Sequence, residues 1–234
     1  MCQTKKIILK FFNLSKLIFL VAGISFAIAW AADDGWEKYG ESDGIVSYLR
    51  PTTGSGVDEI KAVGIVNAPI AVVEAVIRDI SMMPRYVFLC KESFVVNTPD
   101  MKSDGDIIYF YSLTELPFPL SNRDVVAKAL WSMDKATGII YCHSEGVKTA
   151  YKQNKDVVRM PLSITDCTLA PIGAEKTRVT YQVLGDPGGK LPPFLVKMLT
   201  KDYGIKTIVG LRQMVKKDKF RNVKKVVTTT TKTK

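Results

Sequence analysis

The chain has 234 residues, of which 47% are hydrophobic, and this is enough for one buried core of ordinary size. Its formal net charge is +10, but the first 31 residues carry +4 and residues 216–234 carry +7, which leaves −1 on the body between them. Basic charge at the two ends is not the charged face that a nucleic-acid-binding domain presents, so we exclude a nucleic-acid partner.

The N-terminus has the pattern of a secretory signal peptide. Four lysines precede an apolar run, Leu17–Ala29, and the small-x-small sequence Ala29–Ala31 follows it. The run is shorter than the ~20 residues of a membrane span. We predict a signal peptide over residues 1–31 and export of the protein to a bacterial periplasm or the extracellular space. The alternative is an uncleaved N-terminal anchor, which would leave the protein associated with a membrane.

The body opens with a short helix, a hairpin and a longer helix, according to the sequence. The aromatic residues of Trp36–Tyr39 suggest the short helix. Alternating apolar and polar residues predict strands at Gly44–Arg50 and Val57–Val66. Asn67 as an N-cap and Pro69 in the first turn then predict a helix.

A series of short strands follows this helix. They are predicted at Cys90–Asn97, Asp106–Leu113, Arg123–Trp131, Gly138–Ser144, Asp156–Thr168 and Thr177–Leu184. Tight turns between them, such as Asp104-Gly105, indicate antiparallel pairing. Residues 107–111, and 125–127 with 129–131, are apolar on both faces of their strands, so we expect these two strands to be central in the sheet.

A long amphipathic helix is predicted over Phe194–Lys216, because apolar residues recur there at steps of three and four. One long helix in a mostly β chain predicts an α+β fold in which a curved sheet grips the helix and leaves a cavity. Gly204 and Gly210 lie inside this helix, where glycine costs about 1 kcal/mol against alanine. We expect a close approach of a strand or a ligand there, or a hinge; the alternative is a helix that breaks at Asp202–Gly204.

The three cysteines after the signal are Cys90, Cys142 and Cys167, and their spacing fits no zinc-site pattern. We predict buried free thiols. One disulfide is an alternative, for which the sequence selects no pair. No metal or other cofactor is predicted.

The ordered motifs of the body resemble those of the START family of lipid-transfer domains, within the helix-grip superfamily. The residues that carry this resemblance are Trp36, Asp43–Ile45, Tyr48, Arg78-Asp79, Pro117–Asp124, Val179–Tyr181, Asp186–Gly189 and Leu191-Pro192. The resemblance implies a curved antiparallel sheet wrapped around the long C-terminal helix, with an internal hydrophobic tunnel. The domain would span residues 32–217, and residues 218–234 would form a basic, disordered tail.

The resemblance also implies where a ligand binds. The expected tunnel lining is Tyr109, Tyr111, Val125, Ala127, Ala129, Leu195, Leu199 and Ile208. The loop Leu116–Ser121 would lie beside the tunnel mouth. Arg123 and Asp124 would contact a headgroup there, or would form a structural ion pair that holds the mouth loop. Sterol-binding relatives often carry an acid–arginine pair at the positions of Phe110 and Ala129, so its absence favours a more apolar ligand.

The expected function is therefore binding, and transfer or sensing, of a lipid or other hydrophobic small molecule by a monomer. The basic tail would contact anionic membrane surfaces transiently. The alternative is a helix-grip enzyme, cyclase-like or hydrolase-like, that acts on a polycyclic substrate. Against catalysis, His143 is the one histidine, and its neighbour Cys142 must point to the opposite face of the strand. A third possibility, an interaction module with a filled cavity, is disfavoured by the small residues Ala127, Ala129 and Gly64.

Overall fold

The computed structural model describes residues 35–52, 57–189, 191–221 and 223. The predicted signal peptide and most of the predicted tail lie outside these residues. The strands are β1 (Glu37–Ser42), β2 (Ile45–Arg50), β3 (Glu59–Val66), β4 (Cys90–Val95), β5 (Ile107–Thr114), β6 (Asn122–Met133), β7 (Ile140–Gly146), β8 (Val157–Arg159), β9 (Leu162–Ile172) and β10 (Lys176–Asp186). The helices are α1 (Ile70–Arg78), a short 3-10 helix (Ile80–Met82), α2 (Met83–Tyr86), α3 (Pro193–Met214) and α4 (Asp218–Arg221).

One sheet contains all of these strands, in the order β1-β2-β3-β10-β9-β7-β6-β5-β4, with β8 added beside β6. Every pair along this path is antiparallel, and only the short β6–β8 pair is parallel. The long helix α3 packs against β1, β2, β3 and β10. The predicted α+β helix-grip fold is therefore confirmed. Among the described residues, no helix has the length and apolar composition of a membrane span.

Three local predictions were wrong. The segment predicted as an opening helix, Trp36–Tyr39, belongs largely to β1, which pairs with β2 and so satisfies its backbone through the hairpin. Asn67 does not cap α1, whose N-cap is Pro69 without a side-chain hydrogen bond. The strand predicted at Asp156–Thr168 is two strands, β8 and β9, because Pro161 between them has no N–H to donate to a ladder.

The strands β5 and β6 are not central, although both are apolar on two faces. They lie near the β4 edge of the sheet. The outward residues Tyr111 and Val126 form a second small core with Val96 and Met101, and Tyr151 packs against it. The second apolar face is explained by this local cover, which Val96 and Met101 supply from the segment before β5 and Tyr151 supplies from about 40 positions after Tyr111.

The helix α3 is continuous, and both of its inner glycines mark close approaches. A Cβ built at Gly204 would lie 2.5 Å from the Cβ of Ala62 on β3. One built at Gly210 would lie 2.6 Å from backbone atoms of Tyr86. The expectation of a close approach is confirmed, and the alternative of a break at Asp202–Gly204 is wrong, since α3 runs through it.

The folded body extends beyond the predicted boundary at residue 217. Helix α4 follows α3 directly, and the side chain of Phe220 is only 3% exposed in the main hydrophobic core. Residues 218–221 are therefore part of the domain, since Phe220 removes a whole aromatic ring from water.

Candidate ligand-binding cavity

A cavity of about 200 Å³ lies between the inner face of the sheet and the helices. Helices α1, α2 and α3 contribute Ile77, Tyr86 and Tyr203 to its wall, and strands β3, β5, β6, β7, β9 and β10 contribute its floor. Ligand cavities in proteins usually measure about 300–1,000 Å³. This cavity is smaller than that range. It therefore fits a slender molecule, and a bulkier ligand would require the helices to move.

One end of the cavity, which we call the closed end because its four wall residues are buried, is formed by one cross-strand row of side chains. Trp131 on β6 faces Cys142 on β7, which faces Cys167 on β9, which faces Tyr181 on β10. All four are buried and line the cavity. Because successive partners lie directly opposite one another, the row forms a continuous wall across the sheet.

The closed end carries no charge. Burial raises the pKa of the Cys142 thiol to about 12 and the pKa of the Cys167 thiol well above its usual value. Burial likewise raises the phenol pKa of Tyr86, Tyr181 and Tyr203. The thiols and phenols are therefore protonated at neutral pH. The three cysteines are free and buried, as predicted.

The indole of Trp131 has an unusual position within this row. Among the residues that the structure describes, its Nε1 is the one buried side-chain nitrogen or oxygen without a hydrogen-bond partner. The guanidinium carbon of Arg78 lies 4.3 Å from the centroid of the indole ring, and Arg78 itself pairs with Glu74 and Asp106. The ring is thus held between the cavity and an anchored cation.

The middle of the cavity is lined by small residues. They are Ala127, Ala129, Ser144, Ser163, Thr165 and Gly185, on four neighbouring strands. A second cross-strand row joins these strands: Ala129 pairs with Ser144, Ser144 with Thr165, and Thr165 with Val183. The cavity therefore extends across the strands of the sheet. Methyl groups and hydroxyls together make this wall mostly apolar.

The other end of the cavity lies near Arg123 on β6, and we refer to it as the mouth. Eight residues separate Arg123 from Trp131 on this strand, a span of about 26 Å. Leu116 lines the cavity here, and Phe118 in the same loop is 98% exposed. The loop Leu116–Ser121 therefore borders this end of the cavity.

Arg123 is 5% exposed and joins two segments of the mouth. Its Nε donates to the carbonyl of Pro187 at 2.9 Å, its Nη2 donates to the carbonyl of Gly188 at 2.9 Å, and its Nη1 donates to the carbonyl of Ser121. Burial lowers the pKa of the Arg123 guanidinium. The side chain ties the mouth loop to the turn that precedes α3.

Asp124 faces away from the cavity, so the predicted ion pair between Arg123 and Asp124 does not form. The carboxylate accepts from Nε of Arg159 at 2.7 Å and from Nη2 at 3.1 Å. Burial, with the nearby carboxylate of Asp124 as the second cause, raises the pKa of Tyr111 to about 12. Neighbours on a strand point to opposite faces, and this separates the two residues of the motif.

The predicted lining residues divide into three groups. Val125, Ala127, Ala129 and Leu199 line the cavity, as does Arg123 at its mouth. Leu195 and Ile208 are fully buried but do not line it; Ile208 packs beside Gly64 instead. Tyr109 and Tyr111 lie on the outer face with the second core.

The error at Tyr109 and Tyr111 is one of register. A shift of one residue moves every side chain of a strand to the other face, and β5 is apolar on both. The inward residues are Phe110, Ser112 and Thr114. Ser112 and Thr114 lie on the same face of β5 and indicate that this face is more polar. This pattern does not tell whether a polar face borders a cavity or solvent.

His143 lies on the outer face of the sheet, opposite to Cys142, as predicted. Its side chain is 46% exposed, and its Nδ1 lies 2.7 Å from Oδ1 of Asp166. Asp58 is the carboxylate residue among those that line the described cavity, and it is exposed. The interior therefore offers no imidazole and no buried carboxylate within the described part of the chain.

Comparisons with known proteins agree with this architecture. A sequence profile of the START domain matches residues 24–220. An uncharacterised protein of Pseudomonas aeruginosa is 29% identical over 210 residues, which cover 90% of this chain and 98% of that protein. The phosphatidylcholine transfer protein of rat is 24% identical over 185 residues, covering 77% and 82% of the two chains.

Solved structures show the same fold. A STAR-related lipid transfer protein from Xanthomonas axonopodis superimposes with a TM-score of 0.68 and 27% identity, covering 79% of this chain and all of that one. Human StAR-related lipid transfer protein 5 superimposes with a TM-score of 0.69 and 18% identity, covering 79% of this chain and 88% of that one. The latter similarity concerns the fold.

Proposed function

The chain belongs to the START domain family, and from this premise we propose that it is a non-catalytic protein that binds one lipid-like molecule in the cavity. The observation that carries the proposal is the wall of small residues between the closed end and the mouth. Each Å² of apolar ligand surface that this wall removes from water contributes about 25 cal/mol. An apolar chain therefore gains most by lying along it.

The ligand is oriented with its polar end at the mouth. The closed end is built from uncharged groups, whereas Arg123 lies at the mouth. Phe110 and Ala129 both line the cavity, and neither is charged. This argues against the sterols that a buried acid–arginine pair at these positions would select.

Transfer or sensing requires contact with a membrane. The exposed Phe118 beside the mouth supports such contact, because its ring can enter a lipid surface. The basic residues after position 215 would add attraction to anionic headgroups, about 1 kcal/mol for each Lys or Arg at the surface. We expect the contact to be transient and the protein to act as a monomer.

The proposal is tested by equilibrium binding of a fluorescent fatty acid, with unlabelled lipids, phosphatidylcholine among them, as competitors. Ala127→Leu fills the cavity and is expected to weaken binding at least tenfold. Lys128→Leu makes the same side chain on the outer face of β6 and should leave binding unchanged. Absence of binding to the wild-type protein, or equal binding by both variants, would count against the proposal.

The enzymatic alternative, a cyclase-like or hydrolase-like activity on a polycyclic substrate, needs an acid or base in the cavity. His143 faces solvent, and the carboxylate of Asp58 is exposed. These positions favour binding over catalysis. Turnover of a polycyclic substrate that Ala127→Leu abolishes would reverse this preference.

Export remains part of the proposal. The lysines and apolar run of residues 1–31 support a cleaved signal peptide and a location outside the cytoplasm. N-terminal sequencing of the protein from a cell-envelope or secreted fraction is expected to begin at Ala32. A chain that starts at Met1 in the membrane fraction would favour the uncleaved anchor.

A further inference from the structure

The charged side chain buried in the cavity wall is Arg123, and its positive charge has no acidic partner. Asp58, the carboxylate residue among the described lining residues, is exposed, and the described contacts of Arg123 are with backbone carbonyls. Asp124 is adjacent in sequence but pairs with Arg159 on the other face. Within the described part of the chain, no carboxylate lies within ion-pair distance of Arg123.

The three carbonyl contacts of Arg123 do not use all of its N–H donors. A guanidinium carries five N–H groups, and the carbonyls of Ser121, Pro187 and Gly188 account for three of them. One N–H on Nη1 and one on Nη2 have no partner among the described residues. Two N–H groups on the terminal nitrogens are what an acidic group uses when it binds arginine bidentately.

Burial makes this arrangement selective for charge. Charged groups inside proteins are normally paired, because an isolated charge loses its hydration without compensation. Backbone carbonyls supply hydrogen bonds but do not neutralise the charge. A ligand that brings one negative charge to the mouth supplies the missing counter-ion, whereas a neutral polar head leaves the cation unneutralised.

We infer that the cavity selects lipids with an acidic head, a carboxylate or a phosphate, which Arg123 binds at the mouth while the apolar chain extends toward Trp131. This inference rests on the proposed function and specifies its ligand class. Lipid acids and phospholipid phosphates share the required chemistry, and the probes below separate the two.

The experiment compares hexadecanoic acid, hexadecyl phosphate and hexadecan-1-ol by equilibrium binding to the full chain at pH 8. The three probes have the same chain and differ in head charge. We expect the better of the two acids to bind at least about tenfold more tightly than the alcohol, the range of a hydrogen-bonded charge pair. The acid that binds more tightly identifies the preferred head group, carboxylate or phosphate.

Variants assign the selectivity to Arg123. Arg123→Gln should bring the acids to the affinity of the alcohol, and Arg123→Lys should retain part of the preference. Arg178→Gln removes an exposed arginine on β10 and should leave the preference intact. If a variant at Arg123 does not fold, the affinities of the wild-type protein for the two acids and the alcohol still test whether the cavity selects acidic heads.

The outcomes separate the two levels of the proposal. Equal affinity of the wild-type protein for acids and alcohol overturns the inference and leaves lipid binding in place. Acid selectivity that persists in Arg123→Gln overturns the assignment to this residue. Failure of all three probes to bind contradicts the proposed function itself.

Discussion

Gly204 of α3 lies directly on Ala62 of β3, so closely that a Cβ at Gly204 would be 2.5 Å from the Ala62 Cβ. Ala62 is also the cross-strand partner of Tyr181, which belongs to the closed end of the cavity. The distance between α3 and the sheet is therefore fixed by a contact that lies beside the cavity wall. Larger residues at either position would lift the helix.

Gly204→Ala is expected to lower the free energy of unfolding by about 1–3 kcal/mol, the usual cost of overpacking a core. This loss would occur although alanine gains about 1 kcal/mol of helix propensity over glycine. Denaturant unfolding measures the change. Ala62→Gly in the same chain should restore much of the loss, because it removes the methyl that clashes.

Gly210→Ala provides the contrast within the same helix. Its Cβ would meet backbone atoms of Tyr86 at 2.6 Å, and backbone moves less readily than a side chain. We expect a larger loss than at Gly204. A stability equal to wild type for either variant would contradict the close contact of α3.

Asp124→Asn should be strongly destabilising, by about 3–5 kcal/mol, because it leaves Arg159 without its buried partner. Asp166→Asn removes the exposed partner of His143 and should change stability by at most about 1 kcal/mol. Urea unfolding of both variants provides the comparison. Equal effects would show that the Asp124–Arg159 pair is not buried as described.

The raised pKa of Tyr111 leads us to expect a loss of stability at high pH. Its pKa is about 12 in the folded protein, against an ordinary value near ~10. The unfolded chain therefore loses this proton first, and the free energy of unfolding falls as pH rises from 10 toward 12. Tyr111→Phe should show a smaller decrease over this interval. An unchanged pH dependence in the variant would contradict the role of Tyr111.

The thiols at the closed end should be unreactive in the native protein. With a pKa of about 12 for Cys142, the thiolate that attacks alkylating reagents is scarce at pH 8. We expect alkylation of Cys142 and Cys167 to be about a thousandfold slower than that of an ordinary exposed thiol, and to become fast after unfolding. Peptide mapping by mass spectrometry measures both rates. Rapid native labelling would place these residues outside the buried row.

The sequence predicted the sheet, the long helix and part of the cavity wall. Ala127 and Ala129 stood out because small residues in an otherwise bulky strand leave space. The faces of Tyr109 and Tyr111 were not predictable in this way, since the cover over them includes Tyr151, a residue distant in sequence. Local alternation cannot reveal such a cover.

The mouth shows a similar limit. Through the resemblance we expected Arg123 at the mouth, with Asp124 as the alternative partner in an ion pair. The partner of Asp124 is Arg159, brought in by the short parallel pair of β8 with β6. A three-residue strand whose pairing depends on tertiary contacts carries too little pattern to be recognised from sequence.

Native mass spectrometry of the full chain after incubation with a mixed lipid extract tests the central claim most directly. The wild-type protein is expected to carry one lipid-like molecule per chain, which organic extraction then identifies. Ala129→Trp, which fills the cavity, should lose it, and Leu130→Trp on the exposed outer face of the same strand should keep it. A wild-type protein without bound lipid, or a lipid retained by Ala129→Trp, would contradict binding in the cavity.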